Sequence, residues 1–279
     1  MVNRRRRVAA VHYLSVLPFV LFSLFPFYWM VVTSFKQNSE MYDLRAIPFW
    51  VRQIPTLGHY VVLFSRTQFL TWMGNNVVVA VISTAAAVTI SVLAAYALAR
   101  LRFRGSDALG GTIFAVYLVP TTLLFIPLSQ VLRVLRVVDT RWALVVSYPT
   151  FLVPFATWLL MSYFRTIPHD MEESAMIDGC TRLGALWRVV LPTAIPGVLT
   201  ATLFAFTLSW NEFIYAVTFV SSTAQKTIGP GVVTELIRGD VFYWGELMAG
   251  AVLGSVPIAA AYALLLDYYI AGLTAGAVK

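Results

Sequence analysis

GNNVVVAVISTAAAVTISVLAAYALA, residues 74–99, decides the fold. It runs for 26 residues without a charged side chain, and a helix needs about 20 such residues to cross the hydrocarbon core of a bilayer. Five further stretches qualify: 12–34, 109–132, 143–164, 197–220 and 245–270. Composition agrees. Of 279 residues, 59% are hydrophobic and 12% charged, with mean hydropathy +0.77, whereas a soluble domain carries about 25% charged residues. The 20 basic and 13 acidic side chains cannot build a polar surface for a chain of this length. The expected architecture is an all-α polytopic membrane protein with six transmembrane helices.

The same numbers exclude several function classes. A net charge of +7 and a pI near 9.7 would suggest nucleic acid in a soluble protein. Here the basic residues lie between apolar spans, where they set orientation and meet anionic lipid headgroups, so no nucleic-acid partner is expected. A single cysteine, Cys180, permits no intrachain disulfide. His12, His59 and His169 lack metal-ligand spacing, and no catalytic or metal site is expected. The run after Arg4–Arg7 is too long for a cleaved signal peptide and reads as an uncleaved first span.

Orientation follows from positive charge near the span ends. An inside N-terminus puts 11 basic residues inside and 9 outside. Arg133, Arg136 and Arg141 on the outer side weigh against it. Arg4–Arg7 abut the first span, however, and the long 35–73 link, with Pro48 and Pro55, can translocate largely regardless of charge. Both termini are then expected in the cytoplasm. Ala85–Ala87, Ala94-Ala95 and Gly250-x-x-x-Gly254 allow close helix approach. Pro120, Pro127, Pro154 and Pro257 fall inside spans, where broken backbone must be buried or face a cavity.

The fourth link, Arg165 to Pro196, is polar yet patterned. Asp170 with Glu173 has the spacing of a capping box, a helix Met171 to Asp178 follows, and Gly179 suits a left-handed helix end. Thr181 starts a second helix with Leu183, Leu186, Trp187 and Val190 on one face, ended by Pro192. The expected result is a helix–turn–helix elbow. On patterning alone an ordinary amphipathic linker fits as well.

Glu173-Ser174-Ala175, then Gly179, Val189 and Leu191-Pro192, resembles the EAA loop of binding-protein-dependent ABC importers. Spacing matches throughout, with Ser174 for the middle alanine and Val189 for the usual isoleucine. Ile177-Asp178-Gly179 looks like the sugar-importer version. Pro26–Trp29 with Ser34-Phe35-Lys36, Ala95–Arg100 with Phe103-Arg104-Gly105, Trp210–Phe213, and the ending Gly272–Lys279 resemble the MalG type of sugar permease in order and spacing.

That resemblance implies a type I ABC importer permease with a core at 71–268, preceded by a cytoplasmic N-terminus, first helix and extracytoplasmic link (1–70) and followed by a cytoplasmic tail (269–279). The coupling loop would span about 165–196 and use Glu173, Ser174, Ala175, Asp178, Gly179, Leu191 and Pro192. Implied partners are a second permease subunit, two cytoplasmic ATPase subunits, an extracytoplasmic solute-binding protein, lipid, and a sugar or related small solute, in a bacterial inner membrane. The chain has no G-x-x-x-x-G-K-[ST] phosphate loop, so ATP and Mg would be bound by the ATPase subunits, with no cofactor on this chain.

Trp210, Asn211 and Glu212 are the candidate substrate-pathway residues. An acid and an amide can hydrogen-bond sugar hydroxyls, and a carboxylate in a span needs a cavity or a partner. Equally, Glu212 could pair with a cation of a partner subunit and only hold its helix. An ion-coupled secondary transporter is the alternative function, with Glu212 and Glu246 as the carboxylates it would need. A membrane enzyme would need convergent catalytic groups, and none are apparent.

Overall fold

The computed structural model describes the backbone of residues 2–43, 45, 49–101 and 103–275, with side chains inside 12–266 of those ranges. Expectations placed on the side chains of Arg4–Arg7, Pro48 and the tail 269–279 fall outside the described residues.

Apolar sequence without an interrupting break gives the longest helices. In chain order they are α1 Val2–Ser34, α2 Asn38–Met41, α3 Gly58–Arg66, α4 Phe69–Arg100, α5 Ser106–Tyr117, α6 Phe125–Val134, α7 Arg141–Ser147 and α8 Pro149–Phe164. There follow α9 His169–Ile177, α10 Arg182–Ala185, α11 Leu191–Thr193, α12 Ile195–Trp210, α13 Ile214–Phe219, α14 Ile228–Leu236 and α15 Trp244–Ala275. A two-residue antiparallel hairpin, β1 Ile237–Arg238 with β2 Val241–Phe242, turns at Gly239 in a left-handed conformation (φ +61°). Among the described residues, four segments are long and apolar enough to cross a bilayer: His12–Ser34, Phe69–Arg100, Arg141–Phe164 and Trp244–Leu266.

The other two expected spans are helical but broken. In 109–132, α5 stops at Tyr117 and α6 starts at Phe125. Pro120 has no N–H and keeps the preceding residue out of the helical region, so the chain passes through a short 3₁₀ turn, Thr121–Leu123. Tyr215 answers one exposed carbonyl there, donating to Thr121 O at 3.0 Å. In 197–220 the break falls at Asn211–Phe213. Before it, the segment Arg182–Thr193 meets α12 at an 80° bend, between Pro192 and Pro196.

The chain forms two compact units. One comprises residues 1–69 and 232–256. On α1 the apolar side chains from Leu14 to Phe27 are exposed around the whole circumference, which suits lipid and no aqueous surface. Deeper in this unit, the buried His59 ring lies over Gly245, where any Cβ would overlap the imidazole. His59 Nδ1 is 3.2 Å from Glu246 Oε1, and Nε2 is 2.7 Å from the Lys36 carbonyl. Both ring nitrogens therefore face acceptors, and the bond to Glu246 is the main reason the His59 pKa is raised. Burial works to raise Glu40, yet backbone N–H groups of Arg52 (2.9 Å) and Gln53 (3.1 Å) and the Lys36 ammonium bring it below the ordinary carboxylate value.

The second unit comprises 70–231 and 257–279. Here α8 packs against α12 and α5. Glycine sets the first distance, since a Cβ at Gly197 of α12 would meet the Tyr163 ring at 2.5 Å. At Gly110 of α5 it would meet Met161 Sδ at 2.9 Å. Ala87 and Ala95 of α4 are fully buried in this core, as the small-residue pattern predicts. Near the second break, Asp139 adopts a left-handed φ of +61° and accepts from the N–H groups of Ser221 and Ser222, both at 2.7 Å, and from the Ser222 hydroxyl. That hydroxyl is the main cause of its lowered pKa.

Candidate functional site

The elbow forms, with its turn where glycine was expected and its cap elsewhere. Gly179 has φ +92°. Gly179 N donates to Met176 O at 3.1 Å and Cys180 N to Ala175 O at 2.9 Å, the paired closure of a Schellman helix end. Thr181 caps the second helix, its hydroxyl accepting from Gly184 N at 3.1 Å. The capping box does not form. Helix α9 begins at His169 behind Pro168, with no side-chain cap, so Asp170 falls in its first turn, where a carboxylate favours the helix dipole. The reason is Pro168 itself, which is preorganised to open a helix two residues earlier.

The expected single apolar face is also divided. Ala185, Leu186 and Val190 are fully buried, while Leu183 and Trp187 stay exposed. Leu186–Val190 is a π-helical turn; Pro192 cannot donate to the carbonyl four residues back, and the wider turn accommodates this. Of the predicted elbow residues, Glu173, Ser174, Asp178, Gly179 and Pro192 are exposed, Leu191 is partly buried and Ala175 is buried. Around the Gly179 turn, Met171, Ile177 (86% exposed), Leu183 and Trp187 (57%) present apolar surface outward.

The acid that anchors the elbow is Glu172, which the sequence reading passed over for Glu173. Glu172 is 6% exposed. Tyr96 on α4 donates to its Oε1 at 2.5 Å and lies 3.2 Å from the Arg182 carbonyl. One helical turn on, buried Arg100 places Nε 3.8 Å from Glu172 Oε2 and donates from Nη2 to Ile167 O at 2.8 Å. The available signal was the Tyr96/Arg100 spacing, which puts both on one helix face.

The break in the fifth stretch brings Trp210, Asn211 and Glu212 together as the end of one helix and the start of another. Helix α12 leaves carbonyls without intrahelical donors. Asn211 Nδ2 reaches Thr207 O at 2.9 Å, and Asn76 Nδ2 of α4 lies 3.4 Å from Trp210 O. Both Glu212 oxygens face the start of α13, accepting from Tyr215 N (2.8 Å) and Ala216 N (3.1 Å). The buried Tyr148 hydroxyl lies near the same carboxylate. Trp210 is buried against Phe206, ring centroids 5.5 Å apart, whereas Asn211 is exposed. Thr84, Ala85 and Thr89 of α4 and Thr202 and Phe206 of α12 line an open groove of about 350 Å³. Among the described residues no group of His, Cys, Asp and Glu is arranged to hold a metal ion.

The described fold is helical apart from one short hairpin, with long apolar helices, an exposed elbow and a broken apolar stretch. Residues 87–274 match the family of binding-protein-dependent transport system inner membrane components, and the chain belongs to that family as a permease subunit of an ABC importer. It is 39% identical over 257 residues to the sulfoquinovosyl glycerol transport system permease protein SmoH of Agrobacterium fabrum, covering 92% of this chain and 89% of that one. It is 32% identical over 259 residues to the trehalose/maltose transport system permease protein MalG of Thermococcus litoralis, covering 92% and 91%. A bacterial ABC transporter involved in import of the acidic polysaccharide alginate contains a chain of the same fold, with TM-score 0.76 and 21% identity over 95% of this chain and 97% of that one. This membership favours the importer over the ion-coupled alternative.

Proposed function

We propose that the solute is a sugar or glycoside, that the path passes the break at 211–213, and that residues 165–196 dock on an ATPase subunit. The single observation that carries the docking is the exposure of four apolar side chains, Met171, Ile177, Leu183 and Trp187, on the two helices that flank the Gly179 turn. Apolar surface presented outward on a polar link marks an interaction site. Glu173 and Asp178 give that surface an acidic rim. The elbow then lies in the cytoplasm, as do both termini, in a bacterial inner membrane. ATP and Mg belong to the docked subunits, a second permease completes the path, and a solute-binding protein delivers the cargo.

Sugar specificity is supported by what SmoH and MalG are named for and by the exposed amide of Asn211 at the break. Asn211 is the residue we assign to solute contact. Glu212 we assign to holding the break open, because its two oxygens are already engaged by backbone N–H groups. The test is purification of the affinity-tagged permease with its associated proteins, followed by ATP hydrolysis in liposomes with the cognate binding protein and a panel of glycosides. The expected result is a co-purifying ATPase stimulated by one or a few glycosides. Its absence, or uptake driven by an ion gradient without ATP, overturns the proposal.

A further inference from the structure

Tyr96, Arg100 and Glu172 form a buried polar cluster at the elbow end of α4. All three are buried, they join two elements distant in sequence, and neither docking nor solute contact uses them. Their reach is what matters. From adjacent turns of α4 they engage the elbow at Ile167 O before α9, at the Glu172 carboxylate within α9, and beside Arg182 O at the start of α10. The first arm of the elbow is therefore tied to α4 by hydrogen bonds and charge, and the start of the second lies against the same Tyr96 hydroxyl. A buried carboxylate and guanidinium cannot separate without leaving charges uncompensated, so small displacements of the elbow do not slide it over α4.

At its other end, α4 is tied as firmly. Asn75 donates to the carbonyls of Ala224 and Lys226, both at 2.9 Å, and accepts from Arg141 at 3.2 Å. Trp72 donates to Thr223 O at 2.8 Å, and Asn76 faces Trp210 O at the break. Both sets of ties lie on α4, whose 32 residues contain no proline, about 48 Å of continuous helix in all, and kinks need an identifiable cause.

We propose that Tyr96, Arg100 and Glu172 are positioning residues that latch the elbow to α4, so that elbow and α4 move as one body and carry a displacement at the ATPase to the break at 211–213. This rests on the elbow being the ATPase docking element. One further observation suits a loaded joint. The Arg100–Glu172 separation of 3.8 Å is an ion pair longer than a hydrogen bond, and Arg100 Nε and Glu172 Oε2 make no other bond, so the latch can tighten without rearrangement.

The experiment uses the full importer in liposomes and reads solute transported per ATP hydrolysed. Tyr96→Phe and Glu172→Gln are expected to lower that ratio more than about fivefold, the lower end of ordinary coupling energies, with ATPase retention and basal hydrolysis unchanged. The double variant should be no worse than the stronger single one, since both remove one joint. An unchanged ratio, or additive losses, overturns the latch. In the otherwise native complex, spin labels at the exposed positions Leu93 and Asp170, neither of them assigned to the docking surface, should keep their separation to within about 2 Å between nucleotide-free and ATP-bound states, the scale of small helix shifts. A larger change overturns the one-body motion even if a variant fails to assemble. Gly179→Asp runs beside them. If it remains fully coupled, the docking role of the elbow falls; if it uncouples while the latch variants do not, only the latch falls.

Discussion

Two carboxylates, Glu172 and Glu212, hold two of the bent places of this permease, the elbow and the break at 211–213, and they do it by opposite means. Glu212 is held by its own neighbourhood: its oxygens accept from backbone N–H groups three and four residues ahead, as an N-cap does. Glu172 is held from 76 residues away by Tyr96 and by the guanidinium of Arg100. The first arrangement shapes a helix end and asks little of the rest of the fold. The second fastens one helix to another and fails if either side moves. A local carboxylate makes a joint, and a distant one makes a link. The exposed break and the exposed elbow thus differ less in their bends than in what they are tied to.

The contrast can be broken most decisively at the elbow turn. Gly179 has φ +92°, where a side chain costs about 1–2 kcal/mol, and the space beside it is open. Gly179→Asp should leave the spans inserted, abolish uptake and detach or uncouple the ATPase, measured by retention on tagged permease together with solute-stimulated hydrolysis. Wild-type values of both would reduce the elbow to a linker.

The two carboxylates themselves should then separate by size of effect. Glu172→Ala strands a buried guanidinium and is expected to cost about 3–5 kcal/mol. Glu212→Ala removes a helix cap and should cost about 1–2 kcal/mol. Thermal unfolding of the solubilised permease compares them; equal losses would erase the distinction between joint and link. Asn211→Ala, placed at the exposed edge of the break, should leave stability unchanged and lower uptake.

Glu246 offers a third case, in which pH can do what substitution does in the other two. His59 gains the carboxylate of Glu246 in the folded chain and its pKa is raised by that bond. The stabilisation is therefore complete below the unfolded value of about 6.5 and is lost as pH rises through the folded value. The midpoint of thermal unfolding should fall between slightly acidic and alkaline buffer, and His59→Gln should flatten that dependence. A His59→Gln curve parallel to the native one would remove the pair from the account. The smallest effect is expected at Thr181, whose hydroxyl caps α10. Thr181→Ala should cost about 1 kcal/mol and lower uptake without detaching the ATPase. Full loss of the ATPase would mean that the second arm, and not the Gly179 turn, carries docking.

What residues 74–99, Gly179 and Thr181 do was legible because each depends on local physics. Continuous apolar length demands a bilayer, a left-handed turn demands glycine, and a hydroxyl before a helix serves as its cap. The helical character of all six apolar stretches was legible for the same reason. The tertiary structure decided where two of them break, because Pro120 and Asn211-Glu212 are tolerated in a span only when Tyr215, Asn76 and the start of α13 supply the missing hydrogen bonds. It also decided that Glu172 and not Glu173 is buried, that Leu186 and Val190 turn inward while Leu183 and Trp187 do not, and that Tyr96 and Arg100 meet the elbow at all. Those outcomes depend on partners tens of residues distant, whose desolvated hydrogen bonds and charges exist only once the helices have packed.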